Sequence, residues 1–286
     1  MTIQWYPGHM AKARREAEER LKRVDFVMEL VDARAPYSSQ NPMLNEMIID
    51  KPKMTILMKS DLANKQETHR WMHYFQSENG LAVSVDANNK ADINRIIQAA
   101  REFSHEKHVT LKQKGIQKKI IRAMIIGIPN VGKSTLINRL ANKKAAKIGD
   151  RPGITKQQSW IKVGDEFELL DTPGILWPKF TEEIVGYRLA AIGAIRDDIL
   201  PLDDVAAFVI QYLREHYPDQ FAKRYHIHTE MTDMWDVFNA IGRSRGALES
   251  GGHVNFDKVS QIILGDVRSG KLGKITFETI ETSGNQ

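Results

Sequence analysis

The 286-residue sequence contains no cysteine. That excludes disulfides and thiol chemistry, and it suits a reducing compartment. Long apolar runs are missing as well. The longest stretches, such as AMIIGI at 123–128, fall far short of the ~20 residues that cross a bilayer. The N-terminus lacks the apolar run of a secretory leader. No internal repeat is visible. These absences predict a soluble, cytoplasmic protein with no membrane partner.

What is present is a chain long enough for about two domains. Hydrophobic residues make up 42% of it, enough for ordinary packed cores, and the net charge is +5. The charge is unevenly spread. Residues 1–178 hold 29 Lys and Arg against 20 Asp and Glu, a net +9; residues 179–286 hold 12 against 16, a net −4. A basic lobe is compatible with a polyanionic partner and equally with a solvated surface.

VDFVMELVDAR (24–34), KMTILMKSD (53–61) and LAVSVDA (81–87) read as buried strands that end on polar loops. Helix-like stretches at 41–49, 66–79 and 92–107 alternate with them, which predicts a parallel α/β sheet with helices on both faces. IIRAMIIG (120–127) is the strongest strand, and Lys-rich 107–119 reads as a linker or exposed crossover. QSWIKV and EFELLD read as a hairpin turned at Gly164-Asp165. Beyond Pro178 helical periodicity takes over, at 181–196, 203–216, 232–242 and 254–269. The expected division is a sheet domain over 1–178 and a small, mostly α-helical domain over 179–286.

GIPNVGKST, Gly127–Thr135, matches G-x-x-x-x-G-K-[ST] in its required setting between a strand and a helix. Small residues let the backbone N–H groups around Asn130, Val131, Gly132 and Thr135 close on phosphates. Lys133 offers a point charge to the β- and γ-phosphates, and the Ser134 hydroxyl a ligand to Mg²⁺. Downstream, LLDTPGI places Asp171 at a strand end, where it can reach Mg²⁺ through a water. Gly174 can bring its N–H to the γ-phosphate. Thr155, between these motifs in GDRPGITK, is the candidate second Mg²⁺ ligand.

GIPNVGKS, GIT and DTPG occur in the order found in translation-factor-type GTPases. Such proteins read guanine through Asn/Thr-Lys-x-Asp after these motifs, and none follows here. Instead MKSD (58–61) and VDA (85–87) come before the phosphate loop. With WYPGHM, DARAPYSSQNP, LLDTPGILWPK, SGGHVNFDK and GKLGKITFE, the chain resembles, nearly end to end, the circularly permuted GTPases of the bacterial ribosome biogenesis GTPase A family. The resemblance implies a circularly permuted P-loop GTPase domain and a helical tail domain that contacts ribosomal RNA. It also implies GTP as substrate and a role in late assembly of the large ribosomal subunit, with hydrolysis releasing the factor from its precursor particle. The free factor is expected to be a monomer.

The base-side chemistry agrees. A carboxylate at Asp61 accepts from guanine N1–H and the exocyclic amine, a donor pair adenine lacks. Lys59 can lay its stem along the base plane, with Ser60 beside it. Asp86 and Ala87 match the family's last base-contacting loop. One departure from the family stands out. Met58 replaces the family's Asn, which removes an amide tie between base loop and phosphate loop. Ile175 stands where Ras-like proteins carry the Gln that orients the attacking water. His9, on the Pro7-Gly8 turn, can fill that vacancy; RNA contact and packing are the other readings for it. Asn130 has the position that accompanies a potassium ion in related GTPases. Basic clusters at 12–23, 112–122 and 139–151 suit an rRNA-facing surface, with Arg243, Arg245, His253 and Lys258 as candidates in the second domain. A nucleotide-dependent RNA-binding scaffold with negligible turnover is the alternative reading.

Overall fold

The structure, a computed structural model, describes residues 15, 18–48, 51–78, 80–113, 120–142, 160–164, 167–172, 182–227, 231 and 233–280. Strands β1 (Phe26–Asp32), β2 (Lys53–Met58), β3 (Leu81–Val85), β4 (Ile121–Gly127), β5 (Trp160–Val163) and β6 (Phe167–Asp171) form one six-stranded sheet in the order β3-β2-β1-β4-β6-β5. Every pairing is parallel except β5 with β6, the expected hairpin. β1 is buried along its whole length and β4 at all but one residue. Strands covered on both faces need such continuous apolar runs rather than alternation.

Helices α1 (Pro42–Met47), α2 (Lys65–Ser77), α3 (Lys90–Gln113) and α4 (Lys133–Leu140) join the strands. α2 starts cleanly because Asn64 accepts from the N–H groups of Gln66 and Glu67. The register pairs Asp32 with Met58, Met58 with Val85, Leu30 with Gly127 and Ile125 with Asp171. The loops after β1, β2, β3, β4 and β6 therefore all leave the sheet at one edge, where parallel α/β sheets hold their ligands.

The remaining elements are helical: α5 (Glu183–Ala191), a 3₁₀ turn (Asp197–Ile199), α6 (Leu202–His216), α7 (Pro218–Tyr225), α8 (Met234–Arg245) and α9 (Phe256–Arg268). α6 buries Val205, Ala206, Val209, Ile210 and Leu213, and α9 buries Val259, Ile263, Leu264 and Val267. These are stripes at helical spacing, and they pack on each other. The core of this lobe is continuous with that of the sheet.

Two elements differ from the sequence reading. The presumed linker at 107–119 is helical as far as Gln113, because no Gly or Pro interrupts it before Gly115. α7 was not expected, although Pro218 at its first turn is a start signal. The basic first helix lies mostly outside the described residues; 18–21 are helical.

Residues 272–280 cross the expected domain division at 178 and return to the sheet. Ile275 N–H donates to Leu62 O (3.0 Å) and Phe277 N–H to Arg34 O (2.7 Å). Asn64 N–H donates to Thr276 Oγ1 at 3.1 Å. Glu278 is fully buried. Its carboxylate accepts from the N–H groups of Tyr37 (2.6 Å) and Ser38 (3.0 Å), from Ser38 Oγ, and from Arg188 Nη1 at 3.3 Å. Phe277 fills the gap between lobes, its ring 5.1 Å from that of Tyr212 and 6.1 Å from that of Phe208. Phe277→Ala is expected to lower stability by about 3–5 kcal/mol in urea titration, as for a buried aromatic lost without collapse of the site. It should also expose loop 33–38 to limited proteolysis.

Candidate nucleotide site

The phosphate loop leaves β4 at Gly127 and enters α4 at Lys133. A side chain at Gly127 would stand 2.9 Å from Leu30 O and 3.1 Å from Val131 Cγ1, so glycine alone lets the loop fold back over β1. Gly132 has φ +106, and a Cβ there would meet the Met58 methyl at 3.1 Å. Val131 buries its side chain, so only its backbone can face a ligand. Ser134 and Thr135 follow on the first turn of α4, half-buried, where helix N–H groups have no partner within the helix. Such a concave row of N–H groups suits phosphate oxygens.

Two buried charges face this loop without a hydrogen-bond partner among the described residues: Lys133 Nζ and Asp171 Oδ1. Burial pulls the Lys133 ammonium down to about 8, with Asp171 opposing the change. Burial likewise raises Asp171, which Lys133 restrains. Thr172 Oγ1 donates to Ile125 O at 2.6 Å and locks the end of β6 to β4. An ammonium and a carboxylate oxygen without hydrogen-bond partners among the described residues, beside the Ser134 hydroxyl, fit a polyphosphate with a hard cation. The described residues contain no cluster of three metal-binding side chains of the His, Cys, Asp or Glu type.

The base-side loop follows β2. Lys59 adopts φ +58, unusual for a non-glycine residue. Its ammonium donates to Asn130 O at 2.7 Å, across 71 residues, and pairs with Asp32 Oδ2 at 3.0 Å. The tie between base loop and phosphate loop, expected to be lost with Met58, is therefore made by Lys59. Burial pulls the Lys59 ammonium down from its usual value and Asp32 counters that. Asp32 is itself gripped by Arg34, Nε to Oδ1 at 2.9 Å and Nη2 to Oδ2 at 2.8 Å. Burial alone would raise the Asp32 carboxyl, but Arg34 and Lys59 together hold it well below the usual carboxylate range.

Asp61 is exposed at the mouth of the site. Partial burial and the neighbouring Asp86 still raise its pKa. Ser60 N–H donates to Val85 O at 3.2 Å, which draws the 58–61 loop to the Asp86-Ala87 loop. Asp86 N–H donates to Asp92 Oδ2 at 2.9 Å, and Asp86 Oδ1 accepts from Asn88 N–H at 2.8 Å. Lys59, Ser60, Asp61, Asp86, Ala87 and 130–135 thus lie along one rim. Asn130, at φ +58, donates its amide to Gly193 O of the helical lobe at 2.9 Å. His9, Thr155, Gly174 and Ile175 lie outside the described residues.

Residues 122–239 match the model of the family described as 50S ribosome-binding GTPase. Ribosome biogenesis GTPase A of Bacillus cereus is 51% identical over all of this chain and 97% of its own length. The chain belongs to the ribosome biogenesis GTPase A family. The Bacillus pumilus relative is 52% identical, covering 99% of this chain and all of its own. The crystal structure of GNP-bound YlqF from T. maritima shares the fold with a TM-score of 0.65 at 26% identity, over 94% of this chain and 99% of that one. As a member of this family the chain is a GTPase, with the mixed α/β domain and helical region described above.

Sequence reading missed Asp32, Arg34 and Glu278 as parts of this site. The local signal for the first two was a pair of charges closing a strand that is otherwise apolar but for Glu29; Glu278 had none. For Lys133 the sign of the pH effect is fixed. Below about 8 the ammonium is charged with or without ligand. Above that, phosphate binding must first return its proton. Affinity for fluorescent GDP is therefore expected to be level up to pH 8 and to fall above it, by as much as about tenfold per unit. Lys133→Met should bind weakly at every pH without this dependence.

Proposed function

We propose that this GTPase acts in late maturation of the large ribosomal subunit and that hydrolysis of GTP to GDP and phosphate releases it from the precursor particle. The observation that carries the nucleotide half is the convergence on one rim of Lys59 and Asp61 with the phosphate loop, clamped by Lys59 Nζ on Asn130 O at 2.7 Å. The ribosomal half is supported by the relatives' name and by the basic charge of residues 1–178. The base-reading strands β1–β3 precede the phosphate-binding strand in the chain. That order supports a circularly permuted GTPase domain.

The division of labour follows from the side chains. Asp61 accepts from guanine N1–H and N2–H, Lys59 covers the ring with its stem, and the Asp86-Ala87 loop meets the opposite edge. The N–H groups from Asn130 to Thr135 and the Lys133 ammonium hold the phosphates. Ser134 would hold Mg²⁺, with Asp171 behind a water and Thr155 as the other hydroxyl; when bound, the ion neutralises charge on the β- and γ-phosphates. Gly174 brings an N–H to the γ-phosphate. Ile175 has no polar atom to orient water, so His9 serves that purpose on the particle, where the N-terminal turn meets rRNA. Potassium beside Asn130 supplies further positive charge. The helical lobe contributes a second rRNA contact.

Two measurements test this reading. Asp61→Asn should lower GTP affinity at least about a hundredfold, since two hydrogen bonds to a charged acceptor are compromised, and leave ATP binding unchanged. Equal affinity of the native protein for GTP and ATP would sink the assignment of Asp61. Single-turnover hydrolysis with large-subunit particles should exceed the free rate, in KCl more than in NaCl, and His9→Ala should abolish the stimulation. An unstimulated, negligible rate would favour the scaffold reading.

A further inference from the structure

GKLGKITFE, residues 270–278, follows the last helix and belongs to none of the phosphate-reading or base-reading motifs. In space it closes on the loop that carries Asp61. Leu62 O accepts from Ile275 N–H at 3.0 Å. Two residues further on, Asn64 N–H donates to Thr276 Oγ1 at 3.1 Å, and the same hydroxyl donates to Ala33 O at 3.3 Å. Gly270 lies so near this loop that a Cβ there would stand 2.7 Å from Leu62 Cδ2. Asp61 therefore has fixed neighbours of different origin. Ser60 is held by Val85 O of the sheet, and Leu62 by the tail.

Thr276 is the centre of this contact. It is 1% exposed. Its N–H donates to Tyr217 Oη at 3.1 Å, and its O accepts from Tyr212 Oη at 2.9 Å and from Tyr217 Oη at 3.2 Å. Tyr212 lies on α6 and Tyr217 follows its last residue. The backbone of Thr276 is thus anchored to the helical lobe, and its hydroxyl ties the loop after β1 to the loop after β2. A buried N–H left without its acceptor is costly, so loss of Oγ1 would loosen the start of α2 and, with it, the loop before it. The tail also brings a charge. Burial and Asp86 push the Asp61 carboxyl up, while Arg34 and the exposed Lys274 oppose them.

A carboxylate that accepts from both N1–H and the exocyclic amine of guanine must be placed to within about 0.5 Å, because both bonds weaken together when it tilts. We infer that Thr276 is a positioning residue for guanine recognition, holding the 61–64 loop so that both oxygens of Asp61 meet the edge of the base. The inference rests on the assignment of Asp61 to guanine and deepens it by naming what sets its geometry. That residue comes from the end of the helical lobe, not from the sheet, and it acts on the nucleotide only through Asp61.

The test compares GDP with IDP, whose base keeps N1–H and lacks the exocyclic amine. Both are measured on the full chain by competition with fluorescent GDP. The native protein should prefer GDP by about tenfold or more, the worth of a hydrogen bond to a charged acceptor. Thr276→Val keeps the shape and removes the hydroxyl. GDP affinity should then fall about tenfold and IDP affinity no more than about threefold, so that the preference narrows. Thr276→Ser returns the hydroxyl and should return the preference. No preference in the native protein overturns the assignment of Asp61 and this inference with it. A native preference that survives in Thr276→Val, whether affinities hold or fall in equal proportion, overturns the inference and spares Asp61. So does a narrowed preference that Thr276→Ser fails to restore. If the valine chain does not fold, hydrogen exchange on the native protein carries the test. Coupling is reciprocal, so peptides within 272–278 should exchange more slowly with saturating GDP than with saturating IDP. Equal exchange overturns the inference.

Discussion

Asp32 stands at the carboxyl end of the central strand with two cations on one carboxylate. Arg34 holds it through a two-bond fork and Lys59 joins from the next strand. Removing three charges from water is costly, and such clusters survive only when nearly every donor is used. Here the donors extend outward: Lys59 to Asn130 O of the phosphate loop, Arg34 Nη2 to Ile192 O of the helical lobe at 3.2 Å. One buried carboxylate thus aligns the base loop, the phosphate loop and the helical lobe. The cluster also keeps a net positive charge beside the site. Together with Lys133 it gives the site a field that favours a polyphosphate.

The two lobes are consequently not separable in the way the composition shift at 178 implied. Asn130 donates to Gly193 O, while Arg268 donates to Ala190 O at 2.8 Å and pairs with Asp197. The carbonyls at the end of α5, which a free helix would leave to water, are met by side chains from both lobes. A shift of the phosphate loop on nucleotide exchange would disturb a hydrogen bond to the helical lobe without any intervening segment.

How much of this was legible in the sequence depended on the range of the interactions involved. The phosphate loop was readable because Gly127, Gly132 and Lys133 serve a local geometry within a nine-residue stretch. The buried strands were readable because parallel strands covered on both faces read as nearly continuous apolar runs. Asp32 and Arg34 were not, since charges after a strand ordinarily mean a solvated loop. Their burial is imposed by Ile192 and Phe277, far along the chain. Met58 misled for a related reason. It was read as a lost amide tie, whereas its methyl packs beneath Gly132 and its neighbour Lys59 makes the tie. Asp61 was assigned from base chemistry alone.

The returning tail has a bearing on synthesis. Glu278 closes on Ser38 over 240 residues of chain, so the first loop of the nucleotide site is not backed until residue 278 has been made and has left the exit tunnel. Before that point the N–H groups of Tyr37 and Ser38 lack the carboxylate that holds them. The base-side rim then has no backing, and the growing chain should hold guanine nucleotide poorly. Nucleotide binding is in this way made to wait on completion of both lobes.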